Sequence, residues 1–224
     1  MAIAFDATSL STAQTTSPIT WNHTCTGSDL ILWVGFGLGG TSSDNVTGIT
    51  YNGTSMTLGT KVQTPLDSWI YLYYLIAPSS GTNTVSVSVS SAVDTKCGAS
   101  SFTGANQTGQ PDATTTNTGS SVTTLATNIT TIADNSWVVG VSGASNLTLS
   151  AGTGVTSRSG QVVQGVVWLL GDSNSAKTPA GSYSMTFNDS SSVRMATAMA
   201  SFSPSGGAST SAVFFPKLSL LGVG

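Results

Sequence analysis

Few side chains in this sequence could carry out acid–base or nucleophilic chemistry. His23 is the single histidine among 224 residues, and all nine acidic residues are aspartates. A Ser–His–Asp triad would have to use His23, but nothing marks a nucleophile elbow around any serine. A glycosidase would have to pair two aspartates, and no pair stands apart. His23 lies between Asn22 and Thr24 in an alternating strand, which favours a structural, hydrogen-bonded role. We therefore expect no enzymatic activity.

Phosphate and metal binding have weak sequence support. Residues 35–40 fit the pattern G-x-G-x-x-G, but that motif binds phosphate only where it opens a helix, and residues 41–51 indicate a turn and a strand. Two cysteines and one histidine are too few for a transition-metal site. Asp44-Asn45 and Asn188-Asp189 could hold calcium, although ordinary turn chemistry explains them equally well. The sequence predicts no cofactor and no metal.

The two cysteines leave two alternatives open. Cys25 and Cys97 flank Trp33, an order like that of immunoglobulin domains, in which the cysteines form a disulfide. The corner tyrosine of that fold is missing, because Thr95 stands two residues before Cys97. The residues are therefore either a disulfide or two free thiols, buried or at a sheet edge.

Aromatic residues offer the best binding hypothesis. Trp69, Tyr71 and Tyr73 alternate along one strand and would share one face of it. Aromatic faces stack on sugar rings, and tyrosine hydroxyls add hydrogen bonds. The same spacing is also typical of a core between two sheets or of a subunit interface.

The segments around these residues have the pattern of β-strands. The dipeptide Asn52-Gly53 between two short strands predicts a tight hairpin, because both residues tolerate the positive φ angles of a type I′ turn. Residues 69–76 are apolar on both faces, which predicts a central strand or one covered by a partner. Val85, Val87 and Val89 alternate with serines, as in a half-exposed strand. No segment has a helical period, so we expect almost no helix.

A repeat organises these strands. Residues 81–104 align without a gap on residues 181–204, with Phe102 on Phe202, and Trp33 aligns with Trp137 at nearly the same offset. This predicts two similar halves of about six strands each, residues 1–104 and 105–204, joined by a linker or long loop over residues 104–121. We expect the halves to complete one antiparallel β-sandwich. Two tandem immunoglobulin-like domains are the alternative.

The C-terminal residues 205–224 form the third predicted unit. A spacer rich in Gly, Ser and Thr leads to an apolar tip. One interpretation is a tethered assembly arm, and the other is a last edge strand folded on its own core. The apolar residues of the arm are Val213, Phe214, Phe215, Leu218, Leu220 and Leu221.

The charge composition and the lack of a recognisable export signal bear on the binding partners and on the location of the protein. Charged residues make up 7% of the chain, the net charge is −3, and the basic residues are scattered, which argues against nucleic-acid binding. The N-terminus has no basic, apolar signal segment, and no apolar run is long enough to span a membrane. A hydroxyl-rich surface without an export signal fits a virion component released by lysis. A secreted protein from which the signal has been removed is the competing explanation.

Several segments resemble a known group of proteins. The segments AIAFDATS, TWNHTCTGSDLILWVGF, VTGITYNGTSMTL, YLIAPSSGTNTVSVSVS and GASSFTGANQTGQPD are similar to uncharacterised β-sandwich proteins encoded among bacteriophage and environmental viral structural genes. The resemblance covers most of residues 1–204. It implies a jelly-roll or concanavalin-like fold and a role on the virion surface, and it transfers no catalytic residue.

Together these observations predict an all-β, jelly-roll-like sandwich that acts as a phage decoration, fibre or capsid protein. Its expected partners are further copies of itself and other virion proteins. The alternative is a carbohydrate-binding adhesin module, with a host-surface glycan as the partner.

Overall fold

The computed structural model describes residues 1–39, 42–65, 68–91, 95–145, 148–163 and 166–206. Within these ranges the backbone forms fifteen strands and no helix, which confirms the prediction of an all-β protein. The strands are β1 (Ala4–Leu10), β2 (Ile19–Cys25), β3 (Ile31–Leu38), β4 (Val46–Tyr51), β5 (Thr54–Ser55), β6 (Thr57–Gln63), β7 (Trp69–Ile76), β8 (Gly81–Val89), β9 (Gly98–Thr103), β10 (Ala113–Thr130), β11 (Trp137–Ala144), β12 (Ser150–Ala151), β13 (Thr156–Val163), β14 (Val166–Asp172) and β15 (Ser182–Phe202). No helix long and apolar enough to cross a membrane occurs in the part of the chain that the structure describes.

The strands pair in antiparallel fashion and form three sheets. The outer sheet has the order β2-β8-β4-β5. The first inner sheet has the order β1-β9-β3-β7-β6. The second inner sheet has the order β10-β15-β11-β14-β13, and β12 pairs with β15 beside it. Residues before 104 supply the first two sheets, and residues after 112 supply the third.

The first inner sheet is covered on both faces. Every residue of its central strand β3 is buried, because alternate side chains point to opposite faces and each face has a partner layer. The face that includes Phe36 and Tyr71 packs on the outer sheet. On this same face Ser101 Oγ lies 3.0 Å from Nε2 of His23 in β2.

The other face packs on the second inner sheet. There Phe102 meets Trp137 with ring centroids 5.6 Å apart, and Tyr74 meets Phe202 at 6.2 Å. One continuous cluster of buried apolar residues therefore runs through both halves of the chain. The indole N–H groups of Trp33, Trp137 and Trp168 in this cluster have no hydrogen-bond partner among the described residues.

Glycines let the two inner sheets approach closely. A Cβ atom on Gly98 would lie 2.4 Å from Cδ1 of Leu170 on the opposite sheet. A Cβ on Gly35 would lie 2.5 Å from Cδ2 of the same leucine, and one on Gly143 would lie 2.2 Å from Cδ1 of Ile70. Because these separations are shorter than any real carbon–carbon contact, a Cβ at any of the three positions would displace the end of the facing leucine or isoleucine side chain.

The second inner sheet is covered by its own two long strands. β10 and β15 pair along their whole lengths but change register between Gly119 and Thr124. Beyond that irregularity they turn Leu125 and Phe187 onto the far face of the sheet, where these residues meet Val138 and Met199. A second apolar cluster, separate from the first, fills this space.

Several local predictions are confirmed. Asn52 and Gly53 have φ angles of 49° and 76° and connect β4 to β5. Strand β7 is the predicted strand 69–76, and it lies between β3 and β6 in the first inner sheet. Val85, Val87 and Val89 are buried in β8 with the intervening serines more exposed.

The predicted linker over residues 104–121 is wrong in its second half. Residues 113–121 belong to β10, and their threonines pair with the last part of β15. Threonine is β-branched and suits a strand, but the segment carries too few apolar residues to produce an alternating pattern. Its strand conformation therefore depends on pairing with β15.

The close approach of the inner sheets makes a matched pair of substitutions informative. Gly98→Ala should lower the free energy of unfolding by about 1–3 kcal/mol, because the added methyl group must displace the end of Leu170 in the packed space between the two inner sheets. Gly48→Ala in β4 makes the same chemical change where a Cβ would meet nothing within 4 Å, so it should be nearly neutral. Urea denaturation of both variants measures the difference. Equal effects would contradict tight packing between the halves.

Candidate functional site

The three aromatic residues predicted as a binding face lie on one side of β7, as expected. Tyr71 is fully buried and stacks on Phe36 with ring centroids 5.2 Å apart. Trp69 lies 6.1 Å from Tyr71, and both Trp69 and Tyr73 are half-buried. A ligand on this face could therefore touch Trp69 and Tyr73 but not the ring of Tyr71.

Polar contacts tie the aromatic face to the loop before β4. Tyr71 Oη donates to Asp44 Oδ1 at 2.8 Å, and the other oxygen of Asp44 pairs with Lys61. The ammonium of Lys61 also lies 5.4 Å from the ring centroid of Trp69. Burial raises the pKa of Tyr71, and the hydrogen bond to Asp44 adds to the rise. Burial alone would raise the pKa of Asp44, but the hydrogen bonds from Lys61 and Tyr71 outweigh burial and hold this pKa below its usual value.

A second polar cluster, which we call the His23 network, lies between the outer sheet and the first inner sheet. His23 is 1% exposed, and each of its ring nitrogens has a serine partner. Ser9 Oγ lies 2.8 Å from Nδ1, and Ser101 Oγ lies 3.0 Å from Nε2. Trp21 Nε1 donates to Ser9 at 3.0 Å, and Ser101 donates to Asp6 Oδ2 at 2.6 Å.

The bonds of the His23 network have only one consistent direction. Ser101 donates its single hydroxyl proton to Asp6, so it can only accept a hydrogen bond from His23. Nε2 of His23 must therefore carry a proton. Nδ1 is then the acceptor of the proton of Ser9, whose lone pair receives the N–H of Trp21. Every polar atom in this chain of bonds is satisfied by a neutral imidazole.

The burial of His23 sets its titration. Removal from water lowers the pKa of His23 to about 4, and the nearby carboxylate of Asp6 opposes this shift only in part. Burial alone would raise the pKa of Asp6, but hydrogen bonds from Ser101 and Thr26 leave it below its usual value. An imidazole with so low a pKa is a weak base at neutral pH, and a buried one does not meet solvent. The His23 network joins β2 of the outer sheet to β1 and β9 of the first inner sheet.

Asp6 has a counterpart in the second half that the sequence analysis missed. Asp112 Oδ2 accepts the backbone N–H of Ile132 at 2.9 Å and the hydroxyl of Ser201 at 3.2 Å. Asp6 likewise accepts the N–H of a residue 20 positions later and the hydroxyl of a serine on the neighbouring strand.

A short repeated tripeptide could have revealed this pair. The sequence Asp-Ala-Thr occurs at residues 6–8 and again at residues 112–114. The second half has no histidine at the corresponding position. His23 pairs with Asn83, and the residue that pairs with Tyr183, one hundred positions later, is Ile129.

Both cysteines are free thiols. Cys25 and Cys97 are each fully buried, so the disulfide left open by the sequence is not formed. Burial raises the pKa of both thiols. Tyr51 lies beside Cys25, and its hydroxyl bonds the carbonyl oxygen of Gly81 at 3.2 Å. Burial raises the pKa of Tyr51 to about 12.

The loops considered for calcium are occupied by other bonds. Asp44 binds Lys61 and Tyr71, as described above. Asp189 Oδ1 accepts the hydroxyl of Thr148 at 2.7 Å and the backbone N–H of Ser191 at 3.0 Å. Among the described residues no group of three or more His, Cys, Asp or Glu side chains could hold a metal ion.

A cleft of about 450 Å³ opens at one end of the molecule, where the N-terminus meets residues 204–206. Its lining includes Met1, Ala2, Asp134 and Asn135. The amino group of Met1 donates to the carbonyl of Ser205 at 2.5 Å, so two lining residues are bonded to each other. We call this feature the end cleft.

The arm residues Val213, Phe214, Phe215, Leu218, Leu220 and Leu221 lie outside the described residues. The body extends slightly further than the predicted boundary at residue 204. Ser205 donates its backbone N–H to Gly104 at 2.7 Å and is therefore part of the folded body.

Comparisons with known proteins found no match among family models, curated proteins or solved structures.

The His23 network predicts a specific dependence of stability on pH. Unfolded histidine takes up a proton near pH 6.5 but His23 in the folded protein only near pH 4, so stability falls as pH drops through that window. The loss should reach about 3 kcal/mol by pH 4. Above pH 6.5 the contribution is complete.

Substitution of His23 isolates its contribution to the acid-dependent loss of stability. His23→Gln keeps an acceptor toward Ser9 and a donor toward Ser101 but cannot titrate. Its free energy of unfolding, measured by urea denaturation at several pH values from 4 to 7, should lack the acid-dependent loss. An identical pH dependence in both proteins would show that His23 is not responsible.

Proposed function

We propose that this chain is a non-enzymatic structural protein of a phage particle, a decoration, fibre or capsid component that assembles with copies of itself. The observation that carries the proposal is the order in which the strands pair. With β5 and β6 counted as one interrupted strand, residues 1–104 contribute eight strands.

These eight strands pair as one long hairpin would. β1 pairs with β9, β2 with β8, β3 with β7 and β4 with β5, so first meets last throughout. The pairs alternate between the first inner sheet and the outer sheet. A hairpin rolled into two sheets in this way is a jelly roll, an architecture used in viral capsid proteins and in lectins. Fold alone does not determine function, so the assignment needs the assembly experiment below.

We further propose that the second half is a copy of the first. β10 pairs with β15 along its length, and β11 pairs with β14. The order β10-β15-β11-β14-β13 of the second inner sheet therefore parallels the order β1-β9-β3-β7-β6 of the first. Phe102 and Phe202 are both fully buried, opposite Ile31 and Trp137 respectively. In this correspondence Trp137 matches Ile31, so the alignment of Trp33 with Trp137 is two residues out of register. Asp6 and Asp112 support the same relation.

Surface properties favour assembly. A net charge of −3 on a chain with 7% charged residues gives weak electrostatic protection against association. The edge strand β13 has one neighbour within its sheet, which leaves backbone groups able to pair with another chain. The segment 213–221, which is apolar except for Lys217 and Ser219, adds a further candidate contact between copies. A location on the virion, outside the host after lysis, follows from this proposal.

Removal of the arm tests the assembly proposal. A chain truncated after Gly206 keeps the bonds of Ser205 to Gly104 and Met1, so its melting temperature should match that of the full chain. It should remain monomeric in sedimentation experiments in which the full chain forms oligomers or binds particles. Normal assembly of the truncated protein would rule out the arm as the assembly element.

The second candidate function is carbohydrate binding by the aromatic face of β7. Trp69 and Tyr73 are half-buried, and Asp44 and Lys61 beside them offer polar groups suited to sugar hydroxyls. Binding on a glycan array should be lost in Trp69→Ala and kept in Tyr183→Ala, a half-buried aromatic position in the other half. Absence of any signal from the full chain, or equal signals from both variants, would remove this candidate.

A further inference from the structure

The end cleft combines a concave shape with exposed apolar surface. Met1 lines the cleft and is 71% exposed, and Ile132, two residues before the lining residue Asp134, is 64% exposed. No other large hydrophobic side chain among the described residues exceeds 39% exposure. Apolar surface gathered at one end of a soluble protein is typical of an interaction site.

The C-terminal segment leaves the body at the rim of this same cleft. Gly206 lines the cleft, and the chain continues for eighteen residues beyond it. Residues 207–212 are Gly, Ala, Ser and Thr only, and Val213, Phe214 and Phe215 follow directly. A tether of six residues spans at most about 20 Å. The apolar tip therefore stays near the end of the molecule that carries the cleft.

Charge on the two surfaces is complementary. Lys217 is the single charged residue of the segment 207–224. Asp134 is exposed in the end cleft, where one of its oxygens accepts the backbone N–H of Ala180 at 2.6 Å. An ammonium two residues beyond the phenylalanines would reach this carboxylate when the aromatic rings occupy the cleft.

We propose that the end cleft is the docking site for Val213, Phe214 and Phe215 from the arm of a second copy of this chain. This rests on the proposed self-assembly and names the surface that receives the arm. Docking on the same molecule, with a chain reversal at Gly206-Gly207, is the alternative that the mixed-label experiment below distinguishes. Exchange of arms between neighbours needs no reversal and links one copy to the next.

Photo-crosslinking in the full chain tests the proposal. Phe214→p-benzoylphenylalanine is introduced, and ¹⁵N-labelled and unlabelled chains are mixed before irradiation. Mass spectrometry should find crosslinks to residues 1–2, 132–135 or 204–206, in pairs that carry both labels. Crosslinks within one chain, or to other surfaces, would overturn the docking site.

Two further substitutions provide the control. Ile132→Glu places a charge beside the cleft and should reduce the crosslink yield by about tenfold or more. Leu58→Glu makes a similar change at another exposed apolar residue, on β6, and should leave the yield unchanged. Equal yields in the two variants would overturn the proposal.

Sedimentation of the same samples tests self-assembly separately from the docking site. Assembly accompanied by crosslinks outside the end cleft would overturn the docking site and leave self-assembly intact. Absence of both assembly and crosslinks would overturn the docking site together with the function on which it rests.

Discussion

The close contact between the two inner sheets determines the rest of the structure. Each sheet presents glycine where the other presents a large aliphatic side chain, so Leu170 lies over Gly98 and Gly35 while Ile70 lies over Gly143. Burial of apolar surface is the main favourable term in folding, and here much of it occurs between residues far apart in sequence. The core of one half is therefore incomplete without the other.

Charged groups reinforce this contact at its edge. Arg158 of β13 makes two hydrogen bonds to the carboxylate of Asp172, at 2.5 and 3.0 Å, and its guanidinium lies 3.9 Å from the ring centroid of Phe5 in β1. Asp172 is fully buried, so loss of Arg158 would leave an unpaired charge within the protein. A residue of the second half thus binds both its own sheet and the first strand of the chain.

Similar strand order does not make the two halves chemically alike. Asp6 and Asp112 each accept the backbone N–H of the residue twenty positions later in the chain. His23, Ser9 and Trp21 belong to the first half alone. The first half therefore carries the buried histidine on which the predicted acid dependence of stability rests, while the proposed correspondence of the halves puts Ile129 in its place.

Sequence patterns predicted those elements whose signal is local. Asn52-Gly53 specifies a turn through backbone freedom, and residues 69–76 show in their own apolar composition that they form an interior strand of the sheet. Residues 113–121 could not be recognised as a strand, because their pairing with β15 lies about 80 positions away in the sequence. The burial of Tyr71 and the bonds of His23 likewise depend on which layers meet, which no local pattern contains. The end cleft joins residues from three separate parts of the chain and had no sequence signal.

Native-state hydrogen exchange most directly tests the claim that both halves share one core. The central strands β3 and β11 are buried throughout, one in each inner sheet. If the sheets stabilise each other, the amides of both strands should exchange only through global unfolding and with the same free energy. Exchange of β11 through a lower-energy opening while β3 stays protected, or the reverse, would contradict the account.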